Sequence, residues 1–184
     1  MNLSKDQITE IARSIGVDYA SLMAFISVES GGLGFINGRI VIQFEPSWFK
    51  KNAPYAPSGQ WSVNKVEGQV KEYAAFSEAF HLNKNAAMKS TSWGLGQIMG
   101  FHYALLGYKT VDEMVDDFKK GDYQQVMGIA KFIKGTPALL KALRAKNWHL
   151  VAVYYNGSGY KALAAKYGRE PYDLSMQKAY ARYT

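Results

Sequence analysis

The sequence predicts a single, mainly α-helical domain with a small β-hairpin. Hydrophobic residues recur at helical spacing along most of the chain, between residues that typically begin or end helices. One short segment instead alternates around Asn37-Gly38, a dipeptide typical of a two-residue hairpin turn. The 184 residues are 48% hydrophobic and show no repeat or change of composition, so we expect one domain over residues 1–184.

The first two helices are predicted from their ends. Ser4 and Gln7 match a capping box, and the helix that follows is expected to stop at Gly16. Asp18 is expected to cap the second helix. The hairpin should come next, with its second strand running over residues 39–44.

Further helices are predicted beyond the hairpin. The stretch 52–61 is rich in proline and glycine and is expected to be a loop. Two helices are predicted from about Asn64 to Ala79 and through residues 95–105. Two more should begin at the capping pairs Thr110/Glu113 and Asp122/Gln125, and another at Pro137. The last two are predicted over Trp148–Tyr155 and Asp173–Tyr183.

The charge balance favours a polyanionic partner. Net charge is +7 and the pI is near 9.4, which suits a cell-wall polymer, an anionic membrane surface or nucleic acid. Lysine and arginine form no basic arm, so we do not expect a nucleic-acid partner. No hydrophobic run reaches the roughly 18 residues of a membrane span. The first residues lack the pattern of a signal peptide, so synthesis in the cytoplasm is expected.

No cofactor or metal is expected. The three histidines, at positions 81, 102 and 149, lie far apart and lack the spacing of metal ligands. The glycine-rich motifs that bind nucleotides are absent, and so is the Gly-x-Ser-x-Gly motif of serine hydrolases.

Glu29 is the foremost candidate for catalysis. It shares a helix face with Leu22, Phe25 and Ile26, and the glycines that follow should end the helix and leave space beside the carboxyl. Hydrophobic surroundings disfavour the charged form, so the pKa should be raised. A carboxyl that is protonated near neutral pH is what a glycosidase requires as its general acid. The alternative is a glutamate that turns to solvent at a helix end.

Two further motifs follow Glu29 in the chain. Residues 92–99 read Ser-Trp-Gly-Leu-Gly-Gln-Ile-Met, and residues 154–157 read Tyr-Tyr-Asn-Gly. In this order the three motifs resemble the lysozyme-like superfamily, in particular goose-type lysozymes and soluble lytic transglycosylases. The sequence is most similar to the N-acetylmuramidase domain of bacteriophage endolysins, whose Gly-Arg-x-Val-Ile-x-Phe-Glu pattern also occurs here at 38–45.

The resemblance implies a lysozyme-like α+β fold in which the hairpin forms one wall of the substrate cleft. It also implies cleavage of the β-1,4 bond between N-acetylmuramic acid and N-acetylglucosamine, with Glu29 as the acid. Ser92, Gly94 and Gln97 are then expected to bind substrate: glycine permits close approach of the sugar, and the Gln97 amide suits an acetamido group. The alternative interpretation is a tight helix–helix packing site with Leu95, Ile98 and Met99 in the core.

Tyr155 and Asn156 each have two interpretations. They either orient Glu29 and bind substrate, or they belong to a helix end in which Asn156-Gly157 adopts the left-handed conformation. Glu45 is the second catalytic candidate, as a base for the attacking water or an electrostatic stabiliser. Its alternative role is a charge that interacts favourably with a helix N-terminus.

The expected protein is therefore a monomeric peptidoglycan-degrading endolysin. Its positive charge would hold it on the anionic wall or outer membrane. The family implies that it remains in the host cytoplasm until a membrane lesion, such as one made by a holin, releases it to the cell wall. Two alternatives remain open: a lytic transglycosylase that forms 1,6-anhydro ends, and a non-catalytic peptidoglycan-binding or virion protein.

Overall fold

The computed structural model describes residues 1–53 and 68–184. The chain divides into two compact units, which we call the first unit (residues 1–32 and 129–184) and the second unit (residues 33–128). Most of the predicted loop over 52–61 and the predicted helix start at Asn64 lie outside the described residues.

The described residues are mainly helical, as the sequence predicts. In chain order the helices are α1 (Lys5–Ser14), α2 (Tyr19–Ser30), α3 (Pro46–Asn52), α4 (Gln69–Leu82), α5 (Lys84–Lys89), α6 (Val111–Phe118), α7 (Asp122–Gly135), α8 (Pro137–Arg144), α9 (Trp148–Asn156), α10 (Tyr160–Lys166) and α11 (Tyr172–Tyr183). The short strands are β1 (Phe35–Ile36), β2 (Arg39–Ile40), β3 (Ile42–Phe44), β4 (Thr91–Trp93) and β5 (Ile98–Met99), and a 3-10 helix covers Gly100–His102. None of the helices described is by itself long and apolar enough to span a membrane; α1 and α2 meet the criteria of length and composition only as a pair bent by 103°.

Helix α2 is the centre of the first unit. It packs against α1 and α11, and residues 20–26 are buried around the whole helix rather than along one face. Its predicted ends are confirmed: the Asp18 carboxylate accepts the Ser21 N–H at 2.7 Å, and Gly31 ends the helix in the left-handed conformation. These contacts fix the turn of α2 that carries Glu29.

The N-terminal cap of α1 is also as predicted. The Ser4 hydroxyl accepts the Gln7 N–H at 3.2 Å, and the Gln7 side chain accepts the Ser4 N–H at 3.0 Å. The Arg144 guanidinium, at the end of α8, donates to the carbonyls of Ile15 and Gly16. The carbonyls that α1 leaves unpaired at its C-terminus are thus bound by a side chain distant in sequence.

The second unit contains two small antiparallel sheets. Strands β1 and β2 form the predicted hairpin, with Phe35 opposite Ile40, and strands β3, β4 and β5 form the other sheet. The prediction of one strand over 39–44 is wrong because the chain changes sheets at Val41. The Val41 N–H donates to the Gly34 carbonyl, while the Val41 carbonyl accepts the Gly94 N–H.

The helix predicted through residues 95–105 is wrong as well. This segment is a tight hairpin between β4 and β5, followed by the 3-10 helix. Gly94 and Gln97 both have positive φ, at 66° and 44°, and the Gln97 N–H donates to the Gly94 carbonyl. The hydrophobic residues Leu95 and Ile98 are buried, as a helix would also bury them, so hydrophobicity did not distinguish the two structures.

Side chains of α4 pair with the outer edge of β3. The Gln69 amide accepts the Ile42 N–H at 3.0 Å and donates to the Ile42 carbonyl at 2.8 Å, as a neighbouring strand would. The Glu72 carboxylate accepts the Phe44 N–H at 2.7 Å. Helix α4 thereby satisfies backbone groups at the edge of the sheet.

Gln125 links the β4–β5 turn to the helices. It was predicted to form a capping pair with Asp122, but its buried amide accepts the Leu95 N–H at 2.8 Å and donates to the Phe118 carbonyl at 3.0 Å. The other predicted pair is partly confirmed. The Thr110 hydroxyl accepts the Glu113 N–H, whereas the Glu113 carboxylate binds the N–H of Lys109.

We predict that Gly94→Ala strongly destabilises the protein. A Cβ at this position would lie 2.5 Å from Oε1 of Gln125, and the φ of 66° is unfavourable for alanine. Strain and displacement of Gln125 should together lower the free energy of unfolding by about 3 kcal/mol or more. Urea denaturation measures this.

Gly107→Ala is the matched control. Its φ of 86° is also positive, but no atom lies within 4 Å of the new Cβ. Only the backbone strain of about 1–2 kcal/mol should then appear. Equal losses in the two variants would contradict a packing role for Gly94.

Candidate active site

The Glu29 carboxyl lies in the last turn of α2 and is half-buried. The Tyr155 hydroxyl donates to its Oε2 at 3.1 Å, and the Tyr172 hydroxyl donates to its Oε1. Both carboxyl oxygens are therefore oriented by phenols from α9 and α11. The sequence singled out Tyr155 but missed Tyr172, which lies 143 residues from Glu29.

Aromatic packing holds Tyr155 in place. Its ring meets Phe25 of α2 edge-on, with the ring centroids 4.8 Å apart, and it meets Phe132 of α7 edge-on at 5.9 Å. The ring of Tyr172 lies 5.8 Å from that of Tyr155. Such contacts restrict the rings, so each hydroxyl stays directed at Glu29.

The pKa of Glu29 is raised to about 7 by burial, against the two tyrosine hydrogen bonds, which favour the charged form and lower it. The direction and the cause are those predicted from the hydrophobic residues of α2. Burial, together with the neighbouring Glu29 charge, raises the pKa of both Tyr155 and Tyr172 well above the ordinary value. The two phenols therefore remain neutral hydrogen-bond donors.

A hydrogen-bond network anchors the start of α11, next to Tyr172. The hydroxyl of the buried Tyr160 donates to the Asp173 carboxylate at 2.8 Å and lies 2.8 Å from Nδ1 of His149. Because the single Tyr160 proton is directed at Asp173, His149 must donate its own Nδ1 proton to the Tyr160 oxygen. The network joins α9, α10 and α11 and so supports the position of Tyr172.

Open space lies beside Glu29. A Cβ added at Gly31 or Gly32 would meet no atom within 4 Å, as expected from the glycines. On the same unit, Asn156 and Tyr172 line a groove of about 330 Å³. Asn156 is exposed at the end of α9. The helix does end at Asn156-Gly157, but Gly157 combines a positive φ of 87° with a ψ of 162°, so the left-handed helical conformation of the second interpretation is not adopted.

Ser92, Gly94 and Gln97 are brought together in the β4–β5 hairpin of the second unit. The Ser92 hydroxyl donates to Oε1 of Gln97 at 2.9 Å, and Nε2 of Gln97 donates to the Gly94 carbonyl at 2.9 Å. Each end of the half-buried amide keeps further hydrogen-bonding capacity. The space where a Gly94 side chain would lie is filled by Gln125, so this glycine permits close packing. The packing is that of a hairpin, and the helix–helix packing site considered as an alternative is wrong.

Glu45 precedes α3 but makes no capping hydrogen bond. Nε2 of Gln43 donates to its Oε1 at 2.9 Å, and burial raises its pKa. The sequence missed the neighbouring carboxylate of Glu72, which is buried. Burial raises the pKa of Glu72 to about 7, the hydrogen bond from Phe44 opposes this shift, and the Glu45 charge adds to it. In the parts of the chain that the structure describes, no three His, Cys, Asp or Glu residues form a metal-binding cluster.

The model of the N-acetylmuramidase family matches residues 18–184. The chain belongs to this family. Its structure is similar to the crystal structure of the Burkholderia AP3 phage endolysin, with a TM-score of 0.82 and 33% sequence identity over 98% of this chain and 70% of that chain. No curated protein matches the sequence.

The structural similarity confirms the lysozyme-like, mainly α fold. Membership of the family makes the chain a glycoside hydrolase that acts on peptidoglycan. The match extends over Glu29, Glu45, the β4–β5 hairpin and the end of α9. This muramidase therefore carries every candidate site residue within the family region.

We predict that the stability of the Glu29→Gln variant relative to the wild type is greater at pH 8 than at pH 4.5. The folded-state pKa of about 7 lies above the unfolded value of 4.5, so the stability that protonated Glu29 contributes is complete below 4.5. It is lost as the pH rises through 7. Between the two pH values the wild type should lose about 2 kcal/mol of unfolding free energy relative to the variant, a figure already reduced for the partial exposure of Glu29.

Chemical denaturation of both proteins at the two pH values tests this difference. The raised pKa of Glu72 acts in the same pH window but is present in both proteins, so it cancels. A difference between the proteins that does not change with pH would show that burial does not perturb Glu29.

We predict that Tyr172→Phe raises the pKa of Glu29 further, because this hydrogen bond favours the carboxylate. NMR titration with ¹³C-labelled glutamate would measure the pKa. Tyr183→Phe, on the same helix, is the control and should leave it unchanged. A lowered or constant Glu29 pKa in the Tyr172 variant would contradict the assignment.

Proposed function

We propose that the protein hydrolyses the β-1,4 bond between N-acetylmuramic acid and N-acetylglucosamine, with Glu29 as the general acid. The observation that carries this proposal is the half-buried Glu29 carboxyl, whose pKa of about 7 keeps a proton available near neutral pH. The tyrosine hydrogen bonds restrict its orientation. A general acid must be both protonated and directed, and this group meets both conditions.

Proton transfer leads to bond cleavage. Glu29 donates its proton to the glycosidic oxygen as the bond to the anomeric carbon breaks, and the leaving sugar departs with the electron pair. Positive charge then develops on the remaining sugar as an oxocarbenium-like centre. Because the Tyr155 and Tyr172 hydroxyls favour the ionised carboxyl, they stabilise the Glu29 carboxylate that proton transfer produces.

Substrate binding is assigned to the remaining motif residues. We propose that Gln97 uses its free hydrogen-bonding capacity to bind an acetamido group. Hydrogen bonds with the Ser92 hydroxyl and the Gly94 carbonyl hold the Gln97 side-chain amide in place. Asn156 would contact the substrate from the groove beside Tyr172. Tyr155 acts on Glu29 rather than on the sugar.

Glu45 is proposed to activate the attacking water or to stabilise the developing positive charge. Its half-buried carboxylate is held by Gln43 and is not used to cap α3, which leaves it available for chemistry. If no water is activated, the muramoyl 6-hydroxyl attacks instead and the enzyme is a lytic transglycosylase. Mass spectrometry separates the outcomes, because anhydro ends lack one water.

We predict that Glu29→Gln lowers turnover of peptidoglycan by a factor of about 10²–10⁴, because it removes the transferable proton and keeps the shape. Lysis of cells stripped of their outer membrane measures the rate, and pelleting with sacculi measures binding, which should persist. In the wild type, activity should fall as the pH rises through about 7 and Glu29 loses its proton.

Glu10→Gln is the control, since Glu10 is exposed on α1. A second variant, Glu45→Gln, distinguishes the two roles of Glu45. Near-complete loss indicates activation of water, and a smaller loss indicates electrostatic stabilisation. Turnover by the Glu29 variant at the wild-type rate would refute the proposal, and binding without turnover by the wild type would indicate a non-catalytic protein.

We propose that the protein acts as a monomeric endolysin, with residues 1–184 as one catalytic domain, and reaches the cell wall on release from the cytoplasm. Its charge supports attachment to an anionic wall or outer membrane. Residues 129–184 contain ten Lys or Arg and two Asp or Glu, so this segment carries the excess positive charge of the chain. Attachment through these residues should weaken as salt increases.

A further inference from the structure

A groove in the first unit is lined partly by Asn156 and Tyr172, but the rest of its lining has no role in the chemistry described so far. It is bounded by the end of α9, by α10 and by the start of α11, and its lining includes Leu163, Tyr167, Arg169 and Tyr172. We call it the α10–α11 groove. Its volume of about 330 Å³ is within the range of small-ligand sites.

The α10–α11 groove offers a positive charge. Arg169 is exposed, and its guanidinium lies 5.6 Å from the centre of the Tyr167 ring. Glu170 also lines the groove, but it is engaged by Lys178 and by the Ser175 hydroxyl. In the described parts of the chain no carboxylate pairs with Arg169, so its charge is available to an anionic ligand.

The hydrophobic part of the groove lies next to this cation. Tyr167 and Leu163 have 41% and 54% of their surface exposed. A ligand with a carboxylate and short aliphatic groups would match Arg169 and these two side chains. Neutral amino-sugar rings carry no carboxylate and would leave the Arg169 charge unmatched.

The groove shares Tyr172 with the catalytic site and is also lined by Val28, the residue before Glu29 in α2. Tyr172 lines it and donates its hydroxyl to Glu29. A substrate whose glycosidic oxygen is at Glu29 would therefore have the groove on the Tyr172 side of that oxygen. In peptidoglycan the muramoyl residue at the cleaved bond carries a stem peptide, which has free carboxylates and alanine methyl groups.

We infer that the α10–α11 groove binds the stem peptide of the muramoyl residue, with Arg169 on a peptide carboxylate and Tyr167 and Leu163 against its aliphatic side chains. This inference rests on the proposed role of Glu29 at the muramoyl bond. The enzyme would then recognise the stem peptide of its substrate as well as the sugar chain.

Binding measurements in the inactive Glu29→Gln protein test the inference. The probes are the disaccharide N-acetylglucosaminyl-N-acetylmuramic acid with and without a tetrapeptide, titrated by calorimetry. Adding Arg169→Gln should weaken binding of the tetrapeptide compound about threefold to tenfold, as expected for a charged hydrogen bond at an exposed site. The peptide-free disaccharide should bind with the same affinity whether or not Arg169 is replaced. Arg13→Gln, an exposed cation of α1, is the matched control.

Turnover gives an independent readout. In the catalytically intact protein, Arg169→Gln should lower kcat/KM on intact glycan more than on glycan whose stems an amidase has removed. Equal effects on both substrates, or none on either, would overturn the inference, since the groove would then bind sugar, the lactyl carboxylate or nothing. A failure of the proposed function would be seen differently, because the single Glu29→Gln variant would then turn over peptidoglycan.

Discussion

Two opposing effects set the pKa of the Glu29 carboxyl, and both depend on how the helices of the first unit pack. Burial in the last turn of α2 disfavours the charge, whereas the hydroxyls of Tyr155 and Tyr172 favour it. Without burial the group would be ionised at neutral pH, and without the phenols its carboxylate form would lack stabilisation. The packing of α9 and α11 against their neighbours thus sets the chemistry of a residue on α2.

The second unit is organised by polar side chains that take the place of backbone partners. Gln69 and Glu72 bind the outer edge of β3, and Gln125 binds the turn between β4 and β5. Strands of two or three residues make few ladder hydrogen bonds, so these side chains supply much of what fixes them. The Ser92–Gln97 arrangement, which is the proposed site for the acetamido group, depends on this support.

The sequence predicted most helix ends and the main features of Glu29, because both follow from neighbours within one or two turns. It failed at residues 95–98, where the same hydrophobic residues suit a helix or a hairpin and where Gln97 adopts positive φ without being glycine. Glu72 was missed although it occupies the buried face of α4 with Ala75 and Ala79, three and seven residues on. The pattern that identified Glu29 would have identified it too.

By itself the sequence determined the family, the helical class and a carboxyl in hydrophobic surroundings, since motifs and periodicity are local properties. Only the tertiary structure decided which groups orient that carboxyl, because Tyr155 and Tyr172 lie 126 and 143 residues away. It also decided that Gln125 supports a turn instead of capping its helix, and that Arg169 lies in the same groove as Tyr172. Such partners meet only when helices pack, and the spacing of residues along a chain does not encode that meeting.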